Sequence, residues 1–227
     1  MAMMTGQKKH SVHASILLAL LVGLVAPAYA GTLRYDFDDL PQHKISNIDQ
    51  RLQIDDWERF RVCNGIGVGP WSISVEDGFV KVKDEGCGLG SRTGIYRLES
   101  WTDYEVKTRI QLRSLGPGGL GVELSVRVAP PRMFDFHGNS YRIWFGDPLN
   151  IGEWYDVRIV AEGNKVTFFL DGQKVDEQAA VRMSGGVAFV TEMSEFWLDY
   201  IEITGDDILP VQPQGRLATC WAKLKRP

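Results

Sequence analysis

Residues able to do chemistry gather in the middle of the chain, on segments that alternate polar and apolar side chains. Glu123, Ser125 and Arg127 take every second position between Val122 and Val128, and Arg142 and Trp144 do the same between Tyr141 and Phe145. An earlier segment, Tyr104 to Leu112, carries Glu105, Lys107, Arg109 and Gln111 in the same rhythm. Strand side chains point alternately to the two faces of a sheet. The polar set is therefore expected to face away from a core that Val122, Leu124 and Val126 enter. Trp144 is the informative member, because a large aromatic that alternation turns outward is uncommon. Sugars offer C–H faces that pack on an indole, while Arg and Glu hydrogen-bond hydroxyls in pairs. Trp144, Arg142, Arg127, Glu123, Ser125 and Arg109 are thus the expected carbohydrate-contacting set, and the arginines suit an anionic as well as a neutral glycan. The competing use of Trp144 is as a minor core residue under a loop such as 129–140.

For catalysis the acid–base candidates are Glu123 and His137. His137, in Phe136-His137-Gly138-Asn139, reads equally as part of a polar loop. Asp36, Asp38 and Asp199 could offer oxygens to a structural calcium ion, or serve as hydrogen-bond partners of turn backbone. The sequence holds no Ser-His-Asp pattern, no nucleotide-binding Gly-rich loop and no Cys/His zinc spacing, so no other cofactor is expected.

The elements that must position these residues are strands. Leu33, Tyr35 and Phe37 alternate with Arg34, Asp36 and Asp38, and further strands are expected at 71–76, 78–83, 92–98, 154–161, 164–170, 173–177, 186–191 and 196–203. Asp77-Gly78, Gly163-Asn164 and Asp171-Gly172 sit between alternating runs, where such pairs make tight hairpins. Many short strands with no sustained helical period describe an all-β, two-sheet antiparallel sandwich or a barrel.

Residues 1–30 read as an export signal: Lys8 and Lys9, an uncharged apolar run from Ile16 to Ala26, then Ala28-Tyr29-Ala30. That run rises only about 16 Å as a helix, short of a ~30 Å hydrocarbon core. The whole chain has 25 basic and 29 acidic side chains; removing the signal takes two lysines and no acid, leaving a charge near −6. This argues against nucleic acid or an anionic membrane surface as partner. Export points to a secreted, periplasmic or cell-surface location, where Cys63 and Cys87 can bridge. Such a bridge closes a loop of about 24 residues worth ~3.5 kcal/mol, though three pairings can be drawn among Cys63, Cys87 and Cys220. The domain is expected over 31–205. Residues 206–227 form a Pro-containing spacer and a short basic tail, either docked on the domain or attached to an envelope partner.

Larger motifs carry a resemblance. Gly152-Glu153-Trp154-Tyr155-Asp156-Val157-Arg158-Ile159-Val160, Gly163-Asn164-Lys165-Val166-Thr167 and Phe169-Leu170-Asp171-Gly172 resemble concanavalin A-like and laminin G-like domains. Trp71 to Gly78, Trp101-Thr102-Asp103-Tyr104-Glu105, Gly185 to Phe189 and Leu198 to Ile203 are similar to the bacterial domain labelled 3-keto-disaccharide hydrolase. The likeness spans 32–205. It implies a jelly roll whose concave sheet holds a glycan, with Trp57, Trp71, Trp101 and Trp154 as packing residues. Laminarinase-type enzymes of this superfamily carry Glu-x-Asp-x-x-Glu on one strand; the comparable Glu123-Leu124-Ser125-Val126-Arg127-Val128 has one carboxylate of the three. The Asn-Ser pair that often precedes the matching Arg in the keto-disaccharide family is also absent. Binding without cleavage is therefore the first expectation. A glycoside-cleaving enzyme is the alternative, and a structural or adhesive envelope protein the third.

Overall fold

The computed structural model describes residues 30–47, 49–54, 56–63, 69–86, 91–116, 121–130, 138–143 and 150–208. Within them the chain forms strands β1 (Gly31–Asp36), β2 (His43–Ile45), β3 (Glu58–Val62), β4 (Trp71–Glu76), β5 (Phe79–Asp84), β6 (Arg92–Arg97) and β7 (Tyr104–Leu115). These are followed by β8 (Gly121–Val128), β9 (Asn139–Ile143), β10 (Trp154–Glu162), β11 (Lys165–Leu170), β12 (Gln173–Ala179), β13 (Gly186–Glu192) and β14 (Ser194–Gly205). A single 3-10 turn, Phe37–Asp39, follows β1.

Two antiparallel sheets face each other. The larger runs β12-β11-β10-β7-β14-β5-β4-β2, with β1 also paired to β14, and the smaller runs β3-β6-β13-β8-β9. The twelve-residue β14 organises the larger sheet. One edge follows β7, while the other meets β5 through Glu195–Leu198 and then β1 through Tyr200–Gly205. Between the sheets lie Val82, Val106, Leu124, Val126, Phe189, Phe196, Leu198 and Ile203, all but sealed from solvent. Trp57, Trp71 and Trp101 join this core as expected.

The anticipated hairpin turns form as their residues require. Asp77 and Gly78 take φ of 56° and 78°, and Asp171 and Gly172 take 47° and 76°, the paired positive values of a turn that matches strand twist. Two strands had no clear signal. β2 is only three residues long, and β3 inverts the usual code. Its Phe60 belongs to a second apolar cluster with Tyr96, Val128, Ala188 and Val190 on the far side of the smaller sheet. Arg61 instead turns between the sheets to meet Asp84 at 2.8 Å, both almost fully buried. An arginine serving as core and a phenylalanine serving as outer face defeat a reading that equates apolar with inward.

Candidate functional site

The expected sugar-contacting set is divided by the fold. Glu123, Ser125 and Arg142 do come together on the outer face of the smaller sheet, where Glu123 stands opposite Arg142 in the β8–β9 register. Arg142 Nε donates to Glu123 Oε2 at 2.6 Å, and Arg92 Nη1 lies 3.4 Å from the same oxygen. Arg92 Nε sits 3.8 Å from Glu192 Oε2, and Ser125 Oγ bonds Glu123 Oε1 at 3.3 Å. Glu123 and Glu192 are 7% and 6% exposed. The result is a shallow, charge-balanced depression of two carboxylates and two guanidinium groups that hold one another. Trp144 and His137 lie outside the described residues, as does Cys87; Cys63 is disulfide-bonded.

Arg127 departs from expectation for a specific reason. A register break against Gly186 and Val187 makes it a bulge with φ of 52°, so its side chain leaves the outer face and runs along the end of the sandwich. There it is fully buried and donates to the carbonyls of Thr102, Gly163 and Arg182 and to Asp103 Oδ1. Its own N–H donates to Tyr104 Oη at 2.6 Å, while that hydroxyl donates to Gly186 O at 2.8 Å; burial pushes the Tyr104 ionisation up. Arg127 is a clasp between segments, with no donor facing outward.

Arg109 belongs to the other sheet, and the surface around it was not anticipated. The register aligns Trp154 of β10, Gln111 of β7, Trp197 of β14 and Lys81 of β5 in one row on the outer face. Phe79, two residues along β5 and so on the same face, stacks on Trp197 at 5.6 Å and meets Trp154 at 5.2 Å between ring centroids. Phe79 and Trp154 are three inter-strand spacings apart, roughly 14 Å, so both side chains lean over the strands between them. Beneath, Gln111 is buried and spent: its amide donates to Gly152 O at 2.6 Å and its carbonyl accepts from Arg113.

Cations rim these rings. Arg113 lies 4.2 Å and Lys81 4.5 Å from the Trp197 ring centroid, and Arg109 lies 5.4 Å from that of Trp154. Lys81 is held by Asp77 at 2.7 Å, and the Trp197 indole N–H donates to Glu195 at 2.8 Å. Arg109 is looser: Asp156 and Asp199 stand 3.9 and 3.8 Å away, beyond hydrogen-bond reach. The three rings are each partly exposed. Together with an arginine between two carboxylates, they offer apolar ring faces and paired donors and acceptors on one open surface.

Farther along the same face the charges close on themselves. Arg34 bonds Asp36 and Glu202, Lys107 bonds Glu105, and Arg158 bonds Glu105 at 2.6 Å. Both carboxylates hold the Arg34 guanidinium well above its ordinary value. Burial would raise the Glu105 carboxyl, but the hydrogen bonds from Lys107 and Arg158 outweigh it and hold the group below the usual range.

The calcium candidates are not gathered. Asp36 is in that ladder, Asp199 faces Arg109, and Asp38 packs over Gly78. Among the described residues no three His, Cys, Asp or Glu side chains form a metal-holding group. Nor does any helix there have the length and apolarity to cross a membrane.

The aromatic floor was missed because Trp197 hides in the apolar run Phe196-Trp197-Leu198, where alternation is invisible, and because Trp154 at a strand start reads as packing. Only β10-β7-β14 pairing puts the two in one row.

No protein-family model matches the chain, and no curated protein does. Solved structures do. A sialidase aligns at TM-score 0.53 and 10% identity, over 88% of this chain and 21% of the sialidase. A structure described with endo-acting O-glycanases of the human gut microbiota aligns at TM-score 0.50 and 12% identity, over 76% and 98%. A Bacillus subtilis protein of galectin-like fold aligns at TM-score 0.48 and 12% identity, over 76% and 99%. At such identities the likeness is one of fold. With the sheet orders above, this chain is an all-β, two-sheet antiparallel sandwich.

Proposed function

We propose that the protein is an exported carbohydrate-binding domain that holds a glycan, without cleaving it, on the outer face of its larger sheet. The observation carrying this reading is the partly exposed cluster of Phe79, Trp154 and Trp197 with Arg109 poised between Asp156 and Asp199. Ring faces take sugar C–H groups, and the loosely held arginine and carboxylates take hydroxyls. The disulfide at Cys63 supports an oxidising location outside the cytoplasm. So does the signal-like segment 1–30, with 31–205 as the binding domain and the basic end of 206–227 as an envelope contact.

The test is a glycan array probed with the full chain, followed by assay of the bound sugars for released product. Saturable binding without turnover is expected. It should fall at least tenfold in Trp154→Ala and in Trp197→Ala, with the β-sheet circular dichroism retained. Binding undiminished in both variants would rule the floor out as the site.

A second reading, glycoside cleavage, has one observation in its favour: Glu123 and Glu192 line a single depression beside Arg92 and Arg142. Product release abolished by Glu123→Gln would establish it. Absence of any binding would leave a structural, adhesive role.

A further inference from the structure

Among the described residues strand β3 pairs only with β6, and no strand there pairs with its other edge. The preceding loop folds back along that edge, tied by Arg59 Nε donating to Gln50 O at 2.9 Å. Between loop and strand lies a cleft of about 510 Å³, within the ~300–1,000 Å³ typical of small-ligand sites. Arg51 reaches it from the loop and Arg59 from β3, while Leu52, Trp57 and Tyr96 supply the smaller, apolar part of a mainly polar lining.

The charges here are unspent. Arg51 is exposed and makes no hydrogen bond or ion pair among the described residues. Arg59 commits only Nε, leaving both terminal amino groups. Glu58 accepts from the Tyr96 hydroxyl through Oε2 at 2.5 Å, with Oε1 left over. Burial, first, and this bond to Glu58 push the Tyr96 phenol up to about 12, against the opposing Arg59 charge. Trp57 is 3% exposed, and its buried indole N–H has no acceptor among the described residues.

We propose that this cleft is a second binding site, distinct from the aromatic floor, for a carboxylate-bearing sugar such as a uronic acid. Two guanidinium forks match the two oxygens of one carboxylate. The Leu52 and Tyr96 surfaces take the C–H face of the ring, and Glu58 Oε1 accepts a hydroxyl. A neutral sugar would leave two cations against a single carboxylate, and a bare anion would leave the apolar lining unfilled.

Titration calorimetry of the full chain with D-glucuronate, D-glucose and acetate tests this. Glucuronate is expected to bind at least tenfold more tightly than either of the others. Arg51→Gln should cost it tenfold or more at an unchanged thermal midpoint, since Arg51 holds nothing else in place. Trp197→Ala should leave it unaltered. Glucose binding as well as glucuronate in Trp197→Ala, where the floor is disabled, would overturn the proposal. So would acetate matching glucuronate, Arg51→Gln binding like the parent, or Trp197→Ala abolishing the glucuronate signal.

Discussion

Arg127 shows how far one side chain can be from the role its position suggests. Its burial is complete and its guanidinium serves three carbonyls and one carboxylate from separate segments, so removing it strands those acceptors together. Arg127→Met should therefore cost about 3–5 kcal/mol, the range for breaking a buried charge network. Its partner Asp103 is 57% exposed in the side chain and can be rehydrated. Asp103→Asn should cost about 1 kcal/mol or less. Urea unfolding midpoints of the two variants measure the difference; equal shifts would mean that the clasp is not what holds this end of the sandwich.

At the scale of elements, the hairpins and the charge ladder make separable claims. Gly78 and Gly172 occupy equivalent turn positions at nearly the same positive φ. A Cβ on Gly78 would come within 1.9 Å of Asp38 Oδ1, whereas nothing lies within 4 Å of one on Gly172. Gly172→Ala should cost only the backbone strain, about 1 kcal/mol. Gly78→Ala should cost more, because Asp38 and the 3-10 turn carrying it must move; thermal denaturation of the pair distinguishes the two contributions. In the β10–β7 ladder the Glu105 carboxyl is held below its ordinary value. The ladder's contribution is then fully present above the unfolded pKa of about 4.3 and is lost as pH falls through the lower, folded value. Glu105→Gln should flatten the acid limb of stability below about pH 4.3, read as unfolding midpoints at several pH values. An acid limb identical to the parent's would show the ladder to be inert.

Over the whole molecule, protection should follow sheet position. β7 and β14 are flanked on both sides along most of their length, whereas β12 is an edge strand with Val175 exposed. Hydrogen exchange is expected to be slowest in Val106–Leu112 and Phe196–Ile203 and fastest in Gln173–Ala179. The same arrangement explains the division of the expected site. Alternation tells which side chains share a strand face, but β7 and β8, whose polar rows look alike in sequence, lie in opposite sheets. Arg109 and Glu123 consequently face away from each other across the core.

What the sequence determined by itself is local: period-two alternation put strands where β4 to β14 form, and Asp-Gly pairs placed the hairpins, because both signals act between residues a few positions apart. Glu123, Ser125 and Arg142 also share a face as their alternation required. Tertiary structure alone decided the rest. The bulge at Arg127, the inverted faces of β3, and the row of Trp154, Gln111 and Trp197 depend on which strand lies beside which and in what register. That choice is made by burial summed over residues far apart in the chain, so no short stretch of sequence contains it.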